Sequence, residues 1–101
     1  MPPIPIDRYV LETLMPQLAG RERRPVAFLV YLYLWNRTSG GRGKSVRASH
    51  QTIASDLGVS KSAVQAAVRL LTRRGLLRAR HASATAVPEY FPLRPWTRRG
   101  R

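Results

Sequence analysis

One stretch of the chain combines polar side chains and a spacing that suit the edges of nucleic-acid bases. Between Lys61 and Arg74, apolar residues recur at helical spacing and predict a buried stripe of Val64, Ala67, Val68 and Leu71. The opposite face presents Lys61, Ser62, Gln65, Arg69 and Arg73. Glutamine can pair with adenine through a donor and an acceptor, and arginine can fork onto guanine. These side chains are therefore predicted DNA contacts, with an ordinary solvated helix face as the alternative.

A second short helix must hold this one in place. The pattern predicts a helix over His50–Leu57, a turn at Gly58 and a new helix that opens on Ser60. Ala54 supplies a small residue where two crossing backbones approach, and glycine permits the tight turn. This spacing is typical of a helix-turn-helix pair, which points to DNA.

The starts of both helices are predicted to contribute to binding. Ser49 and Ser60 are expected to cap the helices by accepting backbone N–H bonds. Free N–H groups at a helix start, together with short polar side chains, can hold a phosphate. We therefore place Ser49, His50, Gln51 and Ser60 among the predicted DNA contacts, and capping alone is the alternative for Ser49.

The charge distribution supports a polyanionic partner. The net charge is +13, of which residues 1–41 carry +2 and residues 42–101 carry +11. The basic half is the half that holds the helical pair. Arg47, Arg78 and Arg80, with Arg42 and Lys44 of the glycine-rich loop Thr38–Lys44, are candidates for phosphate contacts. A generally basic protein whose charge only aids solubility is the alternative.

Several other classes of protein find no support in the composition. The chain has no cysteine, which is compatible with a cytoplasmic location and removes thiolate metal sites. The start of the chain lacks the features of a signal peptide, and the longest apolar run, Val26–Trp35, is far short of the ~20 residues that span a membrane. The five acidic and two histidine residues form no catalytic or metal-binding pattern. We expect no enzyme activity, cofactor, metal or small-molecule ligand.

The remaining helices are predicted from apolar spacing and breakers. Asp7 is expected to cap a short helix that reaches about Leu14, with Val10, Leu11 and Leu14 on one face. Pro16 and Gly20 are expected to interrupt it. Pro25–Arg37 is apolar nearly all round and contains Tyr31, Tyr33 and Trp35, which predicts the core helix, with a dimer face as the alternative.

The strands are short. Ser45–Ala48 is predicted to hold a very short strand, and Leu76–His81 and Glu89–Leu93 a hairpin after Gly75 ends the preceding helix. Pro92 is expected to confine its strand to a sheet edge. From Arg94 onward the composition predicts a basic, partly disordered tail.

Four segments in order resemble the winged helix-turn-helix family, especially small bacterial and phage regulators and replication initiators. The matching pieces are Tyr31-Leu-Tyr-Leu34, Ala54…Gly58-Val-Ser60, Arg74-Gly-Leu-Leu77 and Glu89-Tyr-Phe-Pro-Leu93. The resemblance implies a mainly α fold with a small β-hairpin: three helices and a wing, with an extra N-terminal helical segment. The expected division is 1–24 as an N-terminal extension, 25–93 as the winged domain and 94–101 as the tail.

The wing departs from the family pattern, because its tip, His81-Ala-Ser-Ala-Thr-Ala86, carries little charge. Wing contact with DNA is therefore in doubt, and the tail arginines are the substitutes. The resemblance implies a transcriptional regulator that binds double-stranded DNA as a homodimer, with Ile4–Leu18 as the dimer element, since one recognition helix reads few base pairs. The alternatives are a replication or plasmid-maintenance domain, a protein-interaction module, and nonspecific binding of DNA or RNA.

Overall fold

Helices dominate the chain, and a small sheet packs against them. The computed structural model describes residues 2–97. Within them, an N-terminal helix, Val10–Arg21, precedes helices α1 (Pro25–Arg37), α2 (His50–Leu57) and α3 (Lys61–Arg73). Strands β1 (Val46–Arg47), β2 (Leu77–Arg80) and β3 (Glu89–Pro92) form an antiparallel sheet, and a 3-10 turn, Pro95–Thr97, follows. The predicted fold class, a mainly α winged helix-turn-helix with an extra N-terminal helix, is confirmed.

Helix α1 is the centre of the core, as its all-round apolar pattern predicts. Pro25 begins it and needs no hydrogen-bond partner there, because proline has no N–H. Tyr31 and Trp35 are fully buried. The Tyr31 hydroxyl donates to the Leu93 carbonyl at 2.7 Å, which satisfies its polar tip inside the core. Tyr33 is only half-buried, and its hydroxyl donates to Asp56 Oδ2 at 2.6 Å.

The N-terminal helix differs from its prediction. It does not stop near Leu14 but continues through Pro16 and Gly20 as a π-helix, in which backbone N–H groups bond five residues back. Pro16 is exposed, and a proline there removes one N–H from the hydrogen bonds of the helix.

The core-facing side of this helix also differs in part from the prediction. Val10, Leu14 and Leu18 are buried at a spacing of four, whereas Leu11 is 43% exposed. The wider π winding places Leu11 away from the face that packs on the core, so its predicted place beside Val10 and Leu14 is wrong.

The sheet order corrects a second expectation. The order is β1-β3-β2, so β3 is the central strand and not an edge. Strand β1 pairs with β3 only at Tyr90 and Glu89, while Pro92 pairs with Leu77 of β2. Strand β1 is too short to reach Pro92, so no strand lies beside Pro92 on the side opposite β2. The lack of an N–H at Pro92 therefore costs the sheet no hydrogen bond.

The two ends of the described chain meet in a contact that we call the terminal clasp, residues 5–9 and 94–97. Asp7 Oδ2 accepts bonds from Arg94 Nε at 3.1 Å and Nη2 at 2.9 Å, and from Trp96 Nε1 at 3.0 Å. The rings of Tyr9 and Trp96 stack with centroids 4.6 Å apart, and Trp35 Nε1 donates to the Pro5 carbonyl at 2.9 Å.

The terminal clasp corrects the expectations for both chain ends. The Asp7 carboxylate does not cap the N-terminal helix, because Val10 N–H bonds to the Asp7 backbone carbonyl. Arg94 and Trp96 of the predicted tail contact the N-terminal segment. Of the tail arginines predicted to substitute for the wing, Arg94 pairs with Asp7, and the others lie in residues 98–101, outside the described residues.

Candidate nucleic-acid interface

The turn between α2 and α3 is built as the sequence predicts. Ser49 Oγ accepts the Thr52 N–H at 3.0 Å, and Ser60 Oγ accepts the Ala63 N–H at 3.1 Å, so each serine caps its helix. Gly58 has a φ of 74°, the left-handed conformation that favours glycine. Ala54 and Val64 are buried where the two helices meet. These contacts fix the orientation of α3 relative to α2.

One face of α3 is left free of intramolecular partners. Within residues 2–97, the side chains of Lys61, Gln65, Arg69 and Arg73 make no hydrogen bond or ion pair with another residue. Gln65 is half-buried, and the other three are exposed. On the opposite face Val64, Ala67 and Leu71 are buried, as predicted, and Val68 is half-buried. By contrast Arg74, just past the helix end, pairs with Glu22 at 2.6 Å.

An open groove lies between α2, α3 and the loop that joins β2 to β3. Five of the predicted residues line it: Ser49, His50, Gln51, Lys61 and Gln65. The loop supplies the far wall, with His81 and Thr85 as its polar members and Ala84, Ala86, Val87 and Pro88 as the others. Sequence reasoning missed His81 and Thr85, because a wing with little charge gave no signal for a position beside α3.

The comparison with protein families agrees with this geometry. A family model described as a helix-turn-helix domain matches residues 24–77, just over half of the chain, from the residue before α1 to the first residue of β2. The chain belongs to the helix-turn-helix domain family. Neither a curated protein nor a solved structure matches the chain. The family indicates DNA binding and is typically non-enzymatic.

In this helix-turn-helix domain, His50 connects the groove to the core. Its Nε2 lies 3.0 Å from the hydroxyl of Tyr90, a buried residue of the central strand. Partial burial lowers the pKa of His50, and the positive charges of Lys61, His81 and Arg69 lower it further. The His50 imidazole therefore favours its neutral form in the free helix-turn-helix domain.

The arginines of the sheet lie apart from the groove. Arg80 Nη2 contacts Glu89 Oε1 at 2.6 Å, and Ser45 Oγ donates to the same carboxylate. These hydrogen bonds lower the pKa of Glu89. The Arg78 guanidinium lies 4.1 Å from the centroid of the Phe91 ring. Arg78 and Arg80 thus already have partners within the sheet, whereas Arg47 makes no ion pair with any residue between 2 and 97.

The other predicted contacts are also outside the groove. Ser60 and Ser62 lie at the start of α3, with their hydroxyl oxygens 3.3 Å apart. Arg69 acts on His50 through its charge, and Arg73 lies in the last turn of α3. Arg42 lies near Asp7, so the glycine-rich loop belongs to the side of the terminal clasp. None of the helices in residues 2–97 is long and apolar enough to cross a membrane.

Proposed function

We propose that this protein is a transcriptional regulator that binds double-stranded DNA with α3 in the major groove. The observation that carries the proposal is the polar face of α3, which has no intramolecular partners within residues 2–97 and lies beside the protein's own groove between α2, α3 and the β2–β3 loop. Within residues 2–97, Lys61, Gln65 and Arg69 have no hydrogen-bond or ion-pair partner, and they lie on the helix that α2 and its capped turn hold in place. A rigidly held helix with unpaired polar side chains is what base readout in the major groove requires.

Each side chain has a proposed role. Gln65 pairs with an adenine and Arg69 with a guanine, while Arg73, late in the helix, contacts a phosphate. Lys61, Ser62 and Ser60, near the start of the helix, contact phosphates or nearby base edges. Ser49, His50 and Gln51 hold a second phosphate at the start of α2. Arg47, Arg78 and Arg80 add backbone contacts from the sheet.

Selection from a random duplex library tests the proposal. The full chain should enrich one sequence and bind it far more tightly than random duplex at the same salt concentration. Combined Gln65→Ala and Arg69→Ala should cost about 1–3 kcal/mol per lost base contact and relax the preference. If both substitutions leave the preference unchanged, the assignment of the recognition face is wrong.

Two further substitutions separate readout from charge. Arg47→Ala should weaken binding to all sequences alike and reduce the salt dependence by about one unit of slope. Arg74→Ala is the matched control for Arg69→Ala, since it removes the same charge from the end of the same helical segment. Because Arg74 pairs with Glu22, its loss should leave sequence preference intact. Absence of DNA binding at low salt would favour a protein-interaction module instead.

We further propose that the protein binds as a homodimer through the segment Ile4–Leu18. Ile6, Leu11 and Met15 each expose about two fifths of their surface there. A second copy would double the site that one recognition helix can read. The expected footprint then contains two half-sites, and Leu11→Glu with Met15→Glu should halve the footprint and the sedimenting mass. A footprint of one half-site for the unmodified chain would refute the dimer.

A further inference from the structure

His50 lies between the core and the groove. Residues of three elements, β3, α3 and the wing loop, surround it. From β3, the buried Tyr90 hydroxyl holds its Nε2. From α3, Lys61 and Arg69 present positive charges to it, and His81 of the wing loop also acts on it electrostatically. His50 is also the first residue of α2, where the partial positive charge of a helix start disfavours a cation. Within residues 2–97, no carboxylate is among the groups that shift the pKa of His50.

A DNA phosphate in the groove would reverse this balance. The groove that His50 lines also holds Ser49, Lys61 and His81, so a phosphate bound there lies among the same groups. Its negative charge favours the protonated imidazole and offsets the repulsion from Lys61 and Arg69. The protonated ring then donates to the phosphate, which gives a charge-assisted hydrogen bond.

Tyr90 can serve both forms of the ring without rearrangement. Its hydroxyl donates to Nε2 of a neutral imidazole and accepts from Nε2–H of a protonated one. Burial raises the pKa of Tyr90 to about 12, so the hydroxyl keeps its proton throughout. Because Tyr90 occupies Nε2 of His50, Nδ1 is the nitrogen that donates to the phosphate.

We propose that His50, positioned by Tyr90, takes up a proton when a DNA phosphate enters the groove, so that this protein binds DNA more tightly as the pH falls. The inference rests on the proposed function, because it needs DNA in this groove. It adds a dependence of DNA affinity on pH, which the polar face of α3 does not by itself imply. In a more acidic medium the same protein occupies its DNA sites more fully.

The composition makes it easy to identify the residue that takes up the proton on DNA binding. The chain has two histidines, at positions 50 and 81, and no cysteine, and histidine is the residue type whose charge changes between the pH ranges of carboxyls and lysines. Each histidine can be replaced by glutamine, which is neutral at every pH and keeps a polar group. His50→Gln is the test variant, and His81→Gln is its matched control from the opposite wall of the groove.

The experiment measures the affinity of the full chain for a fluorescent random duplex between pH 5.5 and 8.5 at constant ionic strength. The affinity of the unmodified protein should rise as pH falls, by at most about tenfold per pH unit for one linked proton. His50→Gln should abolish most of this rise. His81→Gln should retain the rise. Tyr90→Phe, which removes only the hydroxyl, should reduce it.

Nuclear magnetic resonance gives an independent readout. The imidazole signal lost in His50→Gln should titrate at a higher pH in the DNA complex than in the free protein. A pH-independent affinity, or a rise that persists in His50→Gln and disappears in His81→Gln, overturns the inference while leaving DNA binding intact. Absence of DNA binding at every pH in low salt would instead refute the proposed function. An unchanged rise in Tyr90→Phe would refute the role of Tyr90.

Discussion

The terminal clasp makes a prediction that can be worked out from its geometry. Asp7 accepts three hydrogen bonds through one carboxylate oxygen, two from Arg94 and one from Trp96. About a quarter of the Asp7 side chain and a sixth of the Arg94 side chain remain exposed. The pair is thus partly shielded from water, and Asp7→Ala leaves three donors without their acceptor. We expect this substitution to destabilise the whole domain, because the clasp joins both chain ends to Trp35 of the core helix.

The size of the effect follows from the exposure of the groups. Hydrogen bonds to a charged partner contribute about 1.5–3 kcal/mol when removal leaves the partners buried. Water can still reach part of Arg94, so we expect a loss of about 1.5 kcal/mol in the free energy of unfolding. Glu12→Ala is the control. Glu12 pairs with Arg8, both are largely exposed, and such a pair contributes about 0–0.5 kcal/mol.

Urea denaturation followed by tryptophan fluorescence measures the effect. The two tryptophans, Trp35 and Trp96, both lie at the clasp, so their emission reports on its opening as well as on unfolding. With a urea dependence of about 1–3 kcal/mol per molar, Asp7→Ala should lower the midpoint by about 0.5–1.5 M. A midpoint equal to that of Glu12→Ala would refute the reasoning and show that the clasp adds no stability.

The pH dependence of stability gives the same prediction a second check. Partial burial alone would raise the pKa of Asp7, but the bonds from Trp96 and Arg94 outweigh it, so the folded-state pKa is lowered. A lowered pKa means that the contribution is fully present above the unfolded value of about 3.9 and is lost as pH falls through the folded value. Asp7→Asn keeps an acceptor oxygen but should remove this part of the acid dependence.

Two further substitutions test the loop and the sheet. Gly41 and Gly43 have similar positive φ values of 79° and 82°, but a Cβ at Gly41 would lie 2.9 Å from the Pro92 carbonyl oxygen, whereas one at Gly43 meets nothing within 4 Å. Gly43→Ala should therefore lower the free energy of unfolding by about 1 kcal/mol, and Gly41→Ala should lower it clearly more. Thermal denaturation measures the difference, and equal midpoints for the two variants would contradict this prediction. Glu89→Gln should free Arg80 and raise the affinity for random duplex in low salt, and an unchanged affinity and salt slope would exclude Arg80 as a phosphate contact.

The parts of the fold that the sequence predicts are those whose signals are local. Helical spacing of apolar residues defined α1, α2 and α3 closely, and the two serine caps were visible as residue types at helix starts. The N-terminal helix shows where local reasoning fails. Proline and glycine are breakers on average, but the burial of Val10, Leu14 and Leu18 on the core outweighs the lost hydrogen bond at Pro16. Tertiary packing is not visible in a single segment.

Contacts between distant residues were the other part that could not be predicted. Tyr90 and His50 are 40 residues apart, and Asp7 is 87 residues from Arg94. Nothing in the residue type of Tyr90 says which polar group its hydroxyl meets. The strand order could not be predicted for the same reason, because a two-residue β1 carries too little sequence signal to indicate that it pairs with β3.

Positive charge by itself does not indicate where a polyanion binds, because some of the arginines are already paired with carboxylates within the fold. Arg74, Arg80 and Arg94 are held by Glu22, Glu89 and Asp7, which together are three of the five acidic residues in the chain. A guanidinium that already has a carboxylate must lose that partner before it can bind a phosphate, and the exchange reduces the gain. Among residues 2–97, Lys61 and Arg69 form no ion pair, so neither has a carboxylate to lose. The pairing of charges, together with their number, therefore supports the proposal that a polyanion binds at α3.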